Sequence, residues 1–117
     1  MFVVTVVLSC LVAAAFMFSG ARKVAGGSDV AGEAVHLGVP VGGYRALGVV
    51  ESAGAAGLLI GLAWAALGIA AAAGLVVLML GAAFSHLRVG DRAARWTPAA
   101  GLGVLAAATL VARVVTA

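Results

Sequence analysis

The chain has 117 residues, of which 65% are hydrophobic and only 9% are charged, and its mean hydropathy is +1.25. A soluble domain carries about a quarter charged residues, so this chain has too little polar surface to cover a water-soluble globule. The composition excludes a soluble protein and predicts a single integral membrane domain over residues 1–117. The net charge of +3, without a basic face, gives no support for nucleic-acid binding.

The cysteine and histidine content excludes further kinds of site. Cys10 is the only cysteine, so the sequence excludes dithiol redox chemistry within the chain and a structural zinc site. His36 and His86, with a few carboxylates, give no metal-ligand spacing. No metal site is therefore predicted.

The first predicted element is a transmembrane helix over residues 2–21. This uncharged run is about 30 Å long as a helix, which matches the hydrocarbon core of a bilayer. The alternative is a cleaved signal peptide, whose positive charges precede its apolar core. Here Arg22 and Lys23 follow the apolar run, so we expect a retained span with these residues at its cytoplasmic end.

The segment 24–43 predicts a short interfacial helix between spans one and two. Gly26 and Gly27 end the first helix, and residues 38–40 (GVP) end the short one. Its apolar face consists of Val30, Ala34 and Leu37, and a neighbouring polar face of Asp29, Glu33 and His36. A partly helical loop is the alternative, because Gly32 lies in the middle.

The uncharged stretch from Ser52 to Ser85 is expected to form two helices. As one helix it would be about 51 Å long, against about 30 Å for the hydrocarbon core of a bilayer. A break at residues 64–68 gives spans over about 44–64 and 67–87, with Trp64 at the membrane interface.

A fourth span is predicted over residues 97–115. Thr97 can cap this helix and Pro98 suits its first position, while Trp96 marks the membrane interface. Arg113 is expected to extend its side chain to the outer interface. The predicted fold class is therefore all-α, a transmembrane four-helix bundle with one short interfacial helix.

The charges give the predicted topology. With four spans, the loops over residues 22–45 and 88–95 lie on the same side and carry every basic residue except Arg113. The positive-inside rule makes that side cytoplasmic. We therefore expect a multi-pass protein of the cell membrane with both termini outside.

Small residues predict where the helices approach one another. On the second span Ala53, Gly57 and Gly61 are spaced by four, and on the third Gly74 and Gly81 lie seven apart. Tight packing within one chain is preferred over a dimer face as the interpretation.

The candidate functional residues lie at the cytoplasmic end. Glu51 lies about 10 Å inside the second span, where a bare carboxylate is unstable and needs a partner. Lys23 and Arg22 end the first span, and His86 ends the third with Arg88 just beyond it. Glu51 can therefore meet Lys23, Arg22 or His86 in one polar cluster, whose members we take as ligand-binding or proton-exchange candidates. No catalytic residue is assigned.

Three motifs in order resemble the DoxX-like family of small four-helix membrane proteins. They are residues 19–23 (SGARK), Glu51 with residues 54–62 (GAAGLLIGL), and residues 81–91 (GAAFSHLRVGD). The resemblance implies a four-helix fold with a cytoplasmic polar cluster, in which Lys23, Glu51 and His86 match the polar positions. It also implies a link to membrane redox assemblies, since the family takes its name from a subunit of a thiosulfate:quinone oxidoreductase. Similar eukaryotic proteins act as receptor-assembly chaperones.

Two functional hypotheses follow. In the first, the chain is an accessory subunit of a quinone-linked membrane redox assembly, and the cluster binds a quinone headgroup or passes protons. Such a protein would need a partner for electrons, because the sequence has no heme ligand pair, iron–sulfur cysteines or flavin fingerprint. In the second, the cluster is an internal salt bridge of a non-catalytic assembly subunit. Both require the lipid bilayer and a membrane-protein partner or a second copy. A solute transporter is a third alternative, without inverted repeats to support it.

Overall fold

A computed structural model describes all residues 1–117 and contains five α-helices and no strands. The helices are α1 (Phe2–Ala25), α2 (Ser28–Leu37), α3 (Val41–Ile60), α4 (Ala65–Arg88) and α5 (Ala93–Val115). The predicted all-α class is confirmed.

The four long helices pack in a closed ring. Helix α1 contacts α3 and α5, and α4 contacts the same two helices, while α2 packs on α3. The shared core consists of small and aliphatic residues together with Phe16 and Met79, and its alanines let the helices approach closely. The buried core residues are Val12, Ala13, Phe16, Ala55, Leu58, Ala72, Leu75, Met79 and Ala106.

The outer faces of the long helices are apolar. Phe18 on α1, Leu80 on α4 and Val104 on α5 are each more than 60% exposed. Three helices, α1, α4 and α5, are long and apolar enough to cross a membrane. Helix α3 is not among these three; it contains Arg45 and Glu51, which lower its hydropathy.

The long uncharged stretch is divided into two helices, as the sequence predicts. Helix α3 ends at Ile60 and α4 begins at Ala65, so the turn covers residues 61–64. The two helices touch backbone to backbone beside this turn, because a side chain on Gly61 would collide with the backbone of Gly68. Close approach of the two helices therefore requires glycine at position 61.

The predicted small-residue stripes are only partly buried. Besides Gly61, Gly57 faces α4, where an added Cβ would lie 2.9 Å from the Cβ of Ala71. Ala53 is exposed. Gly74 and Gly81 have open space around them and do not pack on a helix of this chain, which differs from the expectation. Their side of α4 points outward because Leu75 and Met79 take the inward positions.

The segment between α1 and α3 forms a helix rather than a loop. Gly26 (φ +76°) and Gly27 (φ +109°) turn the chain before α2, and Gly38 (φ +72°) ends it in the left-handed conformation. The N–H of Val39 then donates to the carbonyl of Ala34, as in a Schellman motif. The predicted apolar face is the buried one, and Tyr44 of α3 packs against it. Its buried residues are Val30, Ala34 and Leu37.

The start of α5 differs from the prediction. The helix begins at Ala93 rather than at Thr97, so Pro98 lies inside it. Ala93 and Ala94 are strong helix formers and add a turn before the proline, and the Thr97 hydroxyl donates to the carbonyl of Ala93.

Arg113 does not extend outward. It is only 5% exposed, and its Nε donates to the carbonyl of Gly61 at 3.0 Å. The last carbonyls of a helix lack partners and carry partial negative charge, so the end of α3 holds the guanidinium inside.

Candidate functional site

A buried ion pair joins α1 to α3 near the end of the molecule that carries most of the basic residues. Lys23 Nζ lies 2.7 Å from Glu51 Oε1, and the Glu51 side chain is only 2% exposed. The ammonium also donates to Ser19 Oγ at 2.8 Å and lies 5.5 Å from the centre of the Tyr44 ring. Lysine thus has three partners that suit a cation.

Two glycines bring the partners of this pair together. A Cβ on Gly48 would lie 2.7 Å from both the Gly20 carbonyl oxygen and the Lys23 Cβ. A Cβ on Gly20 would collide with Ser52. Because Gly20 and Gly48 each precede their charged residue by three positions, about one turn, the glycine contact sets the separation of Lys23 and Glu51.

The second carboxyl oxygen of Glu51 has no partner. Oε2 is the one buried side-chain polar atom in the chain without a hydrogen bond. A buried carboxylate oxygen without a donor is destabilised by about 1–3 kcal/mol or more, so a donor from outside the chain would be held there.

His86 pairs with a different carboxylate. Its Nδ1 lies 2.6 Å from Asp91 Oδ2, and the other oxygen of Asp91 lies 2.5 Å from His36 Nε2. Asp91 therefore bridges an imidazole of α4 and an imidazole of α2. Hydrogen bonds from the two histidines hold the pKa of Asp91 below its usual value.

A turn at the end of α4 explains this bridge. Gly90 has φ +76°, and the Asp91 N–H donates to the His86 carbonyl, which folds Asp91 back over the last turn of the helix. His36 reaches the same carboxylate because Arg88 donates to the carbonyl of Leu37 and fixes the end of α2 beside α4.

A second set of contacts holds α2 and α3 to the end of α1. Arg22 and Glu33 form a bidentate pair with N–O distances of 2.8 and 3.1 Å, and both side chains are partly exposed to water. Arg45 Nε donates to the carbonyl of Val24 at 3.2 Å. These contacts place the short helix across the end of the long ones.

A cavity of about 570 Å³ lies between these groups and the apolar walls of α4 and α5. Its polar end includes Lys23, Glu51 and His86. Its apolar walls include Leu47, Val77, Leu78, Met79, Ala82, Ala99 and Leu102. Val77 is 67% exposed, so the cavity opens onto the outer face of α4. The arrangement suits a ligand with a polar head and an apolar body.

The structure brings together some of the predicted residues and separates others. Lys23 and Glu51 are bonded, as the sequence allows. Glu51 and His86 line one cavity but do not touch, because His86 turns to Asp91. Arg22 also lines this cavity but pairs with Glu33 of α2, and Arg88 donates to the carbonyl of Leu37.

Sequence reasoning missed Asp91 and His36 as members of the site. Asp91 stood in the motif over residues 81–91, and His36 stood on the polar face of α2. The sequence signal for this contact is Gly90, because glycine permits the left-handed turn that brings Asp91 back beside His86.

The helices and the polar cavity define a small helical membrane protein. Residues 7–112 match the model of the DoxX-like family, which covers most of the chain. The chain belongs to the DoxX-like family. Comparisons with curated proteins and with solved structures found no match.

Proposed function

We propose that the protein is an accessory subunit of a membrane redox assembly, in which the polar cavity binds the headgroup of a quinone or quinol. The observation that carries the proposal is the unpartnered Oε2 of Glu51, buried beside an open cavity with apolar walls. A quinol hydroxyl supplies the donor that this oxygen lacks. The isoprenoid body of such a ligand suits the apolar walls.

The charges around the headgroup support the same ligand. Lys23 supplies a cation beside Glu51, and the imidazole of His86, which can both donate and accept a proton, stands on another wall. A carboxylate and an imidazole near one hydroxyl are suited to exchange a proton with it. Electrons would pass to a partner protein in the bilayer.

The membrane arrangement proposed is one domain with four spans and both termini outside. Helix α3 carries Arg45 and Glu51, but the Glu51 carboxylate is buried and paired rather than facing outward. The outer face of α3 is apolar, with Val49, Val50 and Ile60 each more than half exposed. An inward, paired charge is the arrangement in which a carboxylate is tolerated within a bilayer.

The second candidate is an assembly subunit in which Lys23 and Glu51 only lock α1 to α3. The 2.7 Å distance and the supporting bonds to Lys23 favour this role. The unpartnered Oε2 and the open cavity favour the ligand role, because a lock without a ligand leaves that oxygen unsatisfied.

Native purification separates the two candidates. The protein is extracted gently with its lipids, and quinones, lipids and co-purifying proteins are measured by mass spectrometry. We expect a quinone in near-stoichiometric amount together with a redox partner. A partner protein recovered stoichiometrically without any quinone would overturn the ligand role and support the lock.

The variant Glu51→Gln sharpens the comparison. We expect it to insert at nearly normal yield and to lose the quinone, because Lys23 keeps Ser19 and Tyr44 as partners. Asp29→Asn is the matched control, since Asp29 is an exposed carboxylate of α2. A collapse in the membrane-inserted yield of Glu51→Gln alone would favour the lock.

A further inference from the structure

We infer that His86, Asp91 and His36 form a proton relay between the cavity and the water at the cytoplasmic surface. This inference rests on the proposed function and deepens it, because it says how the same site exchanges protons with water. The three side chains form an unbroken hydrogen-bonded path with distances of 2.6 and 2.5 Å.

The histidines at the two ends of this path differ in how much of each side chain is exposed to water. His86 lines the cavity and is 22% exposed, while His36 lies on α2 and is 43% exposed. Asp91 between them is only 5% exposed, so water is largely kept from the middle of the path. The exposure thus increases only at the ends, as a path from a site to solvent requires.

The atoms that face outward from the path are free to accept and release a proton. His86 uses Nδ1 for Asp91, and its Nε2 makes no hydrogen bond within the chain. His36 uses Nε2 for Asp91, and its Nδ1 is likewise without a partner in the chain. Each imidazole therefore has one nitrogen toward Asp91 and one away from it.

The transfer conserves protons and involves no electrons. A donor in the cavity, a ligand hydroxyl or water, gives a proton to His86 Nε2, and the proton on His86 Nδ1 passes to Asp91 Oδ2. For the next step His36 is in the tautomer that carries its proton on Nδ1, so that Nε2 can accept. Rotation of the Asp91 carboxyl group turns the protonated oxygen toward His36, the proton passes to His36 Nε2, and His36 Nδ1 releases its proton to water. Exchange of each imidazole with water then restores the starting tautomers. Because the hydrogen bonds to Asp91 favour its ionised form, the proton resides mainly on the imidazoles and only transiently on the carboxyl group.

Other charged groups stand beside this path without interrupting it. A second cavity of about 220 Å³ next to it is lined by Glu33, Tyr44 and Arg95 along with the two histidines. Arg88 donates to a backbone carbonyl of α2 instead of to Asp91. The side chain of Asp91 thus has only the two imidazoles as partners.

The chain contains two histidines, which permits a direct test. The full protein, without added ligand, is labelled with ¹⁵N-histidine in a lipid nanodisc. The rate at which the His86 ring interconverts between protonated and neutral forms is measured by ¹⁵N NMR. Each variant is measured at its own titration midpoint, so that a shifted midpoint does not change the comparison.

We expect His36→Gln to slow the interconversion of His86 tenfold or more, because a carboxamide can hold the hydrogen bond but cannot relay a proton. Asp91→Asn is expected to slow it as well. Val30→Ala is the control, since Val30 anchors α2 by apolar packing alone. It should leave the rate unslowed.

An unchanged rate in His36→Gln would overturn the relay, because His86 would then exchange directly through the cavity. Slowing by Val30→Ala to the same degree would also overturn it, since the position of α2 rather than the relay would then control the rate. Because no ligand is present, the result is independent of whether a quinone binds.

Discussion

Lys23 and Glu51 join α1 to α3 through a 2.7 Å ion pair in which the lysine is fully partnered and the glutamate is not. The asymmetry follows from the packing. Lys23 lies in the last turn of α1, where it also meets Ser19 and the Tyr44 ring. Glu51 lies inside α3 and depends on Lys23 for its only bond. The glutamate is therefore the residue with bonding capacity left for a ligand.

This asymmetry predicts that Lys23→Met destabilises the protein more than Glu51→Gln. Removing the lysine leaves a buried carboxylate without any partner, and breaking a buried pair in this way costs about 3–5 kcal/mol. Unfolding of the purified variants in detergent micelles measures the difference. The double variant Lys23→Met/Glu51→Leu should recover much of the loss. Equal destabilisation by the two single variants would contradict the unequal bonding.

The glycine contact predicts a second difference. Gly48→Ala should lower the melting temperature and weaken the Lys23–Glu51 pair, because the new methyl group would lie 2.7 Å from Gly20 and Lys23. Overpacking of this kind costs about 1–3 kcal/mol. Gly74→Ala is the matched control, since Gly74 has open space around it. It should be neutral or stabilising by up to about 1 kcal/mol. A neutral Gly48→Ala would mean that α1 and α3 are not in close contact.

The hydrogen bonds to Asp91 lead us to expect that the folded protein loses stability in acid. Its pKa is lower in the folded protein than in the unfolded chain, so the folded state binds fewer protons. The stabilisation is therefore present above the ordinary carboxyl pKa of about 3.9 and is lost as the pH falls through the lower pKa of the folded protein. Hydrogen exchange of the α2 amides, measured against pH, checks this prediction. Asp91→Asn should remove that acid transition, and its persistence in the variant would assign it to another group.

Arg113 is expected to stabilise the end of the molecule opposite the Lys23–Glu51 pair, where it donates to the carbonyl of Gly61. Arg113→Leu should destabilise the turn between α3 and α4, because the carbonyl of Gly61 loses its donor inside the helices. The expected cost is about 1–3 kcal/mol. Arg113→Lys should restore part of it, because an ammonium can reach the same carbonyl. Protease sensitivity of residues 61–64 reports the change, and equal sensitivity in wild type and Arg113→Leu would contradict this role.

The proposed topology has a direct check. A reporter that is active only outside the cytoplasm, fused after Gly90, should be inactive, because the basic loop containing Gly90 is placed inside. The same reporter fused after Ala117 should be active. Activity after Gly90 would overturn the four-span arrangement.

The sequence predicted the fold further than it predicted the site. Helix length and charge were enough to divide the stretch between Ser52 and Ser85, since a single helix exceeds the bilayer. They also placed Lys23 and Glu51 at one end. They did not set the rotation of α4, which turns His86 away from Glu51 and toward Asp91.

The remaining differences have local causes. The left-handed turn at Gly90 creates the contact between His86 and Asp91, and no periodicity reports it. The sequence predicts Arg113 at the membrane interface, because a charge is unstable in the hydrocarbon core. In the structure the carbonyl of Gly61 accepts a hydrogen bond from Arg113 and stabilises its side chain between the helices. Small residues predict close packing of helices but do not show which helix faces meet. In the structure Gly57 and Gly61 pack against α4, whereas Gly74 and Gly81 point outward.

The central claim, that Glu51 supplies a bond to a ligand headgroup, is tested most directly by binding of decylubiquinol to the purified protein in nanodiscs. Loss of a hydrogen bond to a charged group costs about 1.5–3 kcal/mol, so Glu51→Gln should weaken binding by roughly tenfold or more. Asp29→Asn should bind like wild type. If wild type fails to bind decylubiquinol, or if Glu51→Gln binds it as tightly as wild type, the claim is wrong.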